Sequence, residues 1–444
     1  MRTKTLANRR LAMLCVAWKR KPKWFVDLLV LVSEEDIKKM FEYLRKFREH
    51  FPERKFFQLI DKIYDMNNLR AAWKKIKSNK GCAGMDKQSI CDFQKQSDLY
   101  LKELQRAVKN GNYEAMPVLR KYIPKENGKF RPLGIPTVKD RILQQATKNV
   151  IESIFEMKFL DCSYGYRPDK NAQQAVKQIR KYIEQGYTWV IDADVEKFFD
   201  SVDHKLLMDF VSDEISDGKV LNLIESWLKA GVMNESKQEE TLVGTPQGGV
   251  VSPLLANIYL HEMDKQVTKI DSVRLVRYAD DFVVLCKTKD EAERTMKQVE
   301  GILTGLKLRL NKTKTNIVNA NTKSFVFLGF NLKNRDGKLV ITPKKNAVEK
   351  FKETVRTMTH RGQPVKPREL VGRLNSVIRG WGNYFRIGNV KRLFERLDCW
   401  IRTRVRTFIE RKKSRYARMR IPKHVLESGY KLVSLMTLIK PHSL

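Results

Sequence analysis

RLVRYADDFVVL, residues 274–285, is the stretch whose reading decides the fold. Two β-rich runs, Val273 to Arg277 and Phe282 to Leu285, enclose Tyr278, Ala279, Asp280 and Asp281. Apolar runs around a short acidic tip read as a hairpin. Adjacent carboxylates at such a tip repel one another and gain nothing from packing. A hard divalent cation removes the conflict, because it prefers carboxylate oxygens. Taken alone, the tip also reads as an ordinary polar turn, in which Asp is common.

A second acidic strand lies upstream, in TWVIDADVEKFFD at 188–200. Strand alternation places Asp192 and Asp194 on one face and Trp189, Ile191, Ala193 and Val195 on the other. Each carboxylate singly fits a salt-bridged surface strand, and the period does not choose between them.

Further out, the punctuation of KYIPKENGKFRPLGIP (121–136) predicts a hairpin. Helices are expected over Glu34 to Phe51, over 61–76 with Leu69, Trp73 and Ile76 on one face, over Val138 to Phe155 and over Ala172 to Gln185. Lys77 to Asp86 reads as a loop. Helical periodicity returns at Asp290 to Leu306 and from Ala347 onward. The expected fold is therefore α+β, with a helical, basic C-terminal piece. No internal repeat or low-complexity linker interrupts it.

Charge says what the chain meets. A net +36, from 87 basic and 51 acidic residues, favours a polyanion, and nucleic acid is the first candidate. Residues 341–420 hold 23 Lys and Arg against 6 Asp and Glu, a balance of +17, and are expected to follow a phosphate backbone. Six scattered cysteines form no C-x-x-C, so neither zinc nor a disulfide framework is indicated, and a reduced cytoplasmic setting is expected. The apolar run Leu11 to Trp18 leads straight into basic residues with no cleavage signature, which makes organellar targeting the weaker reading. No apolar run reaches membrane-spanning length, so no membrane partner is expected.

The ordered set DADVEKFFD (192–200), GTPQGGVVSPLLANIYL (244–260), YADD (278–281), LRLNKTKT (308–315) and FLGF (327–330) closely resembles a reverse transcriptase. More narrowly it resembles the bacterial group II intron reverse transcriptase/maturase family. KGCAGMD (80–86), GKFRPLGIPTVKDRILQQA (128–146) and SYGYRPDKNAQQAV (163–176) fit that family, as does the thumb-like LNSVIRGWGNYFRIGNVKRLFERLDCWIRTRV (374–405). The resemblance implies a right hand. Its expected divisions are an N-terminal basic extension (1–60), fingers (61–185), palm (186–335), thumb or maturase domain (336–411) and a short basic tail (412–444). Only 33 residues follow position 411, with no Cys and two His, so the family's C-terminal endonuclease is not expected.

What the family does is copy RNA into DNA, using an RNA template, a DNA or RNA primer and dNTPs, and bind group II intron RNA as a maturase. The alternative is a domesticated reverse transcriptase in phage defence or DNA repair, without an intron partner. Carried over by motif, the catalytic carboxylates are Asp194, Asp280 and Asp281. With the carbonyl of Val195 they are expected to hold two Mg²⁺ ions, Mn²⁺ substituting. Nucleotide contacts are implied for Lys125, Arg131, Gln247 and Lys314, with Lys312 a near rival of the last. Phe199 is implied as a steric gate against the ribose 2′-hydroxyl. Phe327, Leu328 and Gly329 form the implied primer grip, and Arg379, Arg402 and Arg406 the duplex contacts. Arg404 lies off the face shared by Arg402 and Arg406, and Trp381 and Tyr384 are expected in the thumb core.

Overall fold

The computed structural model describes residues 54–124, 128, 130–234, 237–239, 244, 248–410 and 421–439. The helix expected over Glu34 to Phe51 lies outside them. The chain runs through α1 (Ile60–Ile63), α2 (Met66–Ser78), α3 (Ile90–Lys95) and α4 (Ser97–Asn110) into the hairpin β1 (Val118–Pro124) and β2 (Phe130–Ile135). Next come α5 (Val138–Glu156), α6 (Ala172–Glu184), β3 (Trp189–Asp194), α7 (Phe198–Ser201), α8 (His204–Ser212) and α9 (Gly218–Lys229). The short strands β4 (Val232–Asn234) and β5 (Lys237–Glu239) precede α10 (Ser252–Val267), β6 (Arg274–Tyr278), β7 (Asp281–Cys286) and α11 (Lys289–Gly305). Then follow β8 (Asn316–Asn319), β9 (Phe325–Phe327), β10 (Phe330–Arg335) and β11 (Lys338–Pro343). The last long elements are α12 (Lys345–Met358), α13 (Pro367–Phe385) and α14 (Lys391–Glu410).

These elements form two interleaved compact units. The first comprises residues up to Asp169, Val195–Lys269 and Glu300–Leu310. Here the helix expected over 61–76 is broken in two. Asp65 ends α1 and caps α2, accepting from the backbone N–H groups of Asn67 and Asn68. This is the side-chain capping for which Asp is favoured. Leu69, Trp73 and Ile76 are buried as the periodicity predicts. Strand order in this unit is β2-β1-β4-β5, with β1 and β2 antiparallel and β1 and β4 parallel. Gly248 has φ +123, and a Cβ there would collide with the carbonyl oxygen of Gly134 on β2. Only glycine permits that approach.

The second unit holds Lys170–Asp194, Ile270–Val299 and the chain from Asn311. Its main sheet has the order β6-β7-β3-β8, every pair antiparallel. Val190, Ile191, Val276, Val283, Val284 and Leu285 are all 0% exposed. Each such burial contributes roughly 1.5–3 kcal/mol. From Phe282 to Cys286 β7 is buried on both faces, which is why it reads as a continuous apolar run rather than an alternation.

A three-stranded sheet, β11-β10-β9, went unrecognised in the sequence. Its signal was present. Asp336 (φ 51) and Gly337 (φ 77) form a two-residue turn between alternating strands, as Asp-Gly pairs do. The boundary expected between residues 335 and 336 falls on that turn.

Helices α12 to α14 bury a shared apolar seam. Leu370, Leu374, Ile378 and Phe385 line one face of α13, and Trp381 stacks on Phe351 with ring centroids 4.5 Å apart. Residues 421–439, read from the sequence as part of a short tail, pack here as well. Asp398 on α14 accepts from Ser434 Oγ (2.5 Å) and from the backbone N–H groups of Leu435 (2.8 Å) and Met436 (3.1 Å). Asn375 donates to the carbonyl of Lys431 and accepts from Val433 N–H. The missing side chain of Gly382 admits the segment, since a Cβ there would lie 2.5 Å from Leu438 and 2.7 Å from Leu435. Asp398→Ala leaves these buried donors without an acceptor. The expected loss is on the order of 3 kcal/mol of stability, read as a lower denaturation midpoint, with protease cleavage appearing within residues 421–439.

Candidate active site

Strand β3 ends in Asp194, and the β3–β7 register places Asp281 directly opposite it. Asp280 is the second residue of the two-residue loop joining β6 to β7. Asp192, two positions back on β3, faces Val283 on one side and Asn316 of β8 on the other. The three strands thus gather the carboxylates at one end of one sheet. Burial first, then the charges of Asp281 and Asp194, push the Asp192 carboxyl up to about 6. That shift is the expected response of a partly buried acid among like charges.

The loop after Leu310 closes over the end of β3. Asn311 donates its backbone N–H to the Asp194 carbonyl (2.8 Å) and its Nδ2 to Asp194 Oδ2 (3.1 Å). Lys314 Nζ donates to the same oxygen at 2.8 Å. Of the rival lysines in this motif, it is Lys314 that forms the ion pair with Asp194. Asn311 was not singled out from sequence, although it lies within the quoted motif LRLNKTKT.

Donor chemistry fits a divalent cation, since clustered carboxylate oxygens are its preferred ligands. A positive charge already rests on Asp194, that of Lys314. Among the described residues, no group of three His, Cys, Asp or Glu side chains converges as a metal-holding cage. The fit rests on donor type rather than on a preformed cage.

The other expected site residues divide between the two units. In the first, Val195 is buried and forms an antiparallel bridge with Leu310. Phe199 is 7% exposed and meets Phe198 edge-on at 5.2 Å. Gly244, at the head of GTPQGG, packs against the Phe199 backbone, and its N–H bonds the carbonyl of Val202 at 2.8 Å. Arg131 is exposed on β2, opposite Ile123. Lys125 and Gln247 lie outside the described residues.

In the second unit, Phe327 ends β9, and Leu328 (φ 49) and Gly329 (φ 75) make the turn into β10. Tyr384 Oη on α13 donates to the Leu328 carbonyl at 2.9 Å. Burial pushes this phenol up to about 12, so it stays a donor. Trp381 and Tyr384, expected in the thumb core, are half-buried on α13, with Trp381 stacked on Phe351 and Tyr384 on Phe330. Arg379 is exposed on α13. Arg402 and Arg406, expected as duplex contacts, also have partners within the protein. Arg402 stands 3.7 Å from Glu427, and Arg406 Nε donates to the Ile421 carbonyl at 2.7 Å. Arg404 donates to Thr359 Oγ1 at 3.0 Å, and burial, then Arg356 and Arg361, lower its pKa. The segment from 421 onward thus engages Arg402 and Arg406, whereas Arg404 turns to the C-terminal end of α12.

An acidic strand end facing an acidic hairpin, ahead of a basic helical domain, is an arrangement that suits a template-directed polymerase, and the family match gives that class. Residues 123–332 match the family described as reverse transcriptase (RNA-dependent DNA polymerase), and residues 348–426 match the group II intron maturase-specific domain. Protein YkfC of Escherichia coli K12 is 36% identical over 295 residues, covering 57% of this chain and 77% of that protein. The group II intron-encoded protein LtrA of Lactococcus lactis is 37% identical over 237 residues, covering 52% of this chain and 39% of LtrA. A 91 kDa protein in the cob intron of Schizosaccharomyces pombe is 26% identical over 407 residues, covering 73% of this chain and 50% of that protein.

The chain belongs to the group II intron reverse transcriptase/maturase family. Its enzyme class is RNA-directed DNA polymerase, and the reverse transcriptase domain implies dependence on a divalent metal and binding to RNA. Among the described residues, no helix is long and apolar enough to cross a membrane.

Proposed function

We propose that this protein extends a DNA or RNA primer with dNTPs along an RNA template in the presence of Mg²⁺, and that it binds a group II intron RNA as a maturase. The observation that carries the reading is the register pairing of Asp194 with Asp281 beside Asp280. Within it, residues 61–185 serve as fingers, 186–335 as palm and 336–411 as thumb or maturase domain. Bound Mg²⁺, with Mn²⁺ as substitute, would supply activation of the primer hydroxyl and neutralisation of triphosphate charge. Asp194, Asp280 and Asp281, with the Val195 carbonyl, are the groups that would hold it.

Lys314, paired with Asp194 at 2.8 Å, is assigned as the proton donor to the leaving pyrophosphate. Lys125, Arg131 and Gln247 are assigned to the incoming nucleotide; Phe327, Leu328, Gly329, Arg379, Arg402 and Arg406 to primer and template. Primer extension on an RNA template tests the polymerase reading. Sequencing the RNA that copurifies tests the maturase reading, which a structured intron supports and its consistent absence contradicts.

Phe199 is assigned to sugar selection. Phe199→Val is expected to weaken discrimination against ribonucleotides more than it slows dNTP incorporation. Single-nucleotide incorporation of dNTP and rNTP on one template measures the ratio. An unchanged ratio returns Phe199 to a purely core role, which its burial against Phe198 also suits.

A further inference from the structure

Tyr278 and Asp281 are the last opposed pair of β6 and β7, so Ala279 and Asp280 alone form the loop. Ala279 has φ +58, whereas Asp280 does not enter the positive-φ region. A positive φ at the first position of such a loop is normally taken by glycine. An alanine held there is disfavoured by roughly tenfold, because its Cβ crowds the backbone. Ala279 is only 5% exposed, so this strained residue is packed in place.

Beside it on β6 lies Arg277, 0% exposed and first among the largest fully buried side chains. Its Nη1 donates to the Ala279 carbonyl oxygen at 3.1 Å, and the side chain has further partners. Burying a guanidinium is costly unless its donors are satisfied. The polymerase chemistry assigns Arg277 no contact with substrate.

We propose that Arg277 is a positioning residue for the acidic turn. Its guanidinium holds the Ala279 carbonyl, and through it the loop conformation that presents Asp280 and Asp281. The link is covalent geometry: the Ala279 carbonyl and the Asp280 N–H share one planar peptide, so fixing that oxygen fixes the plane leading into Asp280. Arginine suits the task because its fork is planar and permanently charged. The inference rests on the polymerase reading of those two carboxylates.

The test is a double-mutant cycle of Arg277→Met and Ala279→Gly, with Arg277→Lys and Asp281→Asn alongside. Mn²⁺ binding by electron paramagnetic resonance, kcat and KM for dNTP, RNA affinity and denaturation midpoint are measured on each. Arg277→Met is expected to bind Mn²⁺ about tenfold more weakly and to lose about a hundredfold in kcat, the scale of a small misplacement at a reacting centre. KM for dNTP and RNA affinity should stay within about twofold of wild type. Arg277→Lys should fall between. Glycine takes φ +58 without strain, so the cost of Arg277→Met should shrink by about tenfold in the Ala279→Gly background. An equal cost in both backgrounds, or unchanged Mn²⁺ binding by Arg277→Met, overturns the proposal. If Arg277→Met does not fold, Arg277→Lys carries the same cycle. An Asp281→Asn protein that still extends primers sinks the polymerase reading. An inactive Asp281→Asn beside a fully active Arg277→Met sinks only the role given to Arg277.

Discussion

Asp281→Asn is expected to lower primer extension by on the order of a thousandfold or more, the several kcal/mol that a metal-assisted site supplies. Asp280→Asn should do the same. The amide keeps the shape of the side chain and loses the charge. Folding should be spared, because Asp281 is exposed while the strand behind it, Phe282 to Cys286, carries the packing. Near wild-type extension by both variants removes these residues from the chemistry.

Changing Asp194 and Asp192 separately to Asn extends the test. Asp194 opposes Asp281 in register and is held by Asn311 and Lys314, whereas Asp192 faces Val283 and ionises reluctantly. Asp194→Asn should therefore be inactive and Asp192→Asn measurably active. The reverse result reassigns the first carboxylate.

The second large effect concerns binding. Arg379→Gln combined with Arg402→Gln and Arg406→Gln should weaken affinity for RNA or an RNA–DNA duplex. It should also flatten the salt dependence, by about 0.7–0.9 in log–log slope for each phosphate no longer neutralised. Arg379 is exposed, whereas Arg402 and Arg406 also steady the segment from 421 onward. A fall in denaturation midpoint in the double Arg402→Gln, Arg406→Gln protein, with an unchanged salt slope, would assign those two to packing alone. Asp280→Asn should bind RNA nearly as tightly as wild type. In a maturase it should still promote splicing while making no cDNA, and the arginine variant should be impaired in both. Joint loss of RNA binding and splicing in the palm variant means that one site serves both activities.

Much of this was legible because local chemistry and global fold agree at the decisive places. The YADD hairpin shows itself by two apolar runs around a tip that packing cannot explain. The face shared by Asp192 and Asp194 follows from a period of two. Choosing between them needs the cross-strand register, which no local pattern contains. The same holds for Asn311 and Arg277, whose partners are set by how the loop after Leu310 and the β6–β7 turn close. Arg402 and Arg406 are correctly placed on one helix by their spacing, but spacing does not reveal that residues 421–427 come back to meet them. The β9–β11 sheet was missed for another reason. Its strands carry Lys333, Asn334, Arg335 and Lys338, and that polar load hides the alternation around an otherwise plain Asp-Gly turn.

The most direct measurement is primer extension by the purified protein on an RNA template with Mg²⁺ and dNTPs, run beside Asp194→Asn. The account predicts cDNA from the wild-type chain and none from Asp194→Asn, although both bind the template–primer equally well. Equal extension by the two proteins, or none by a wild-type chain that binds template, primer and dNTP, would contradict it.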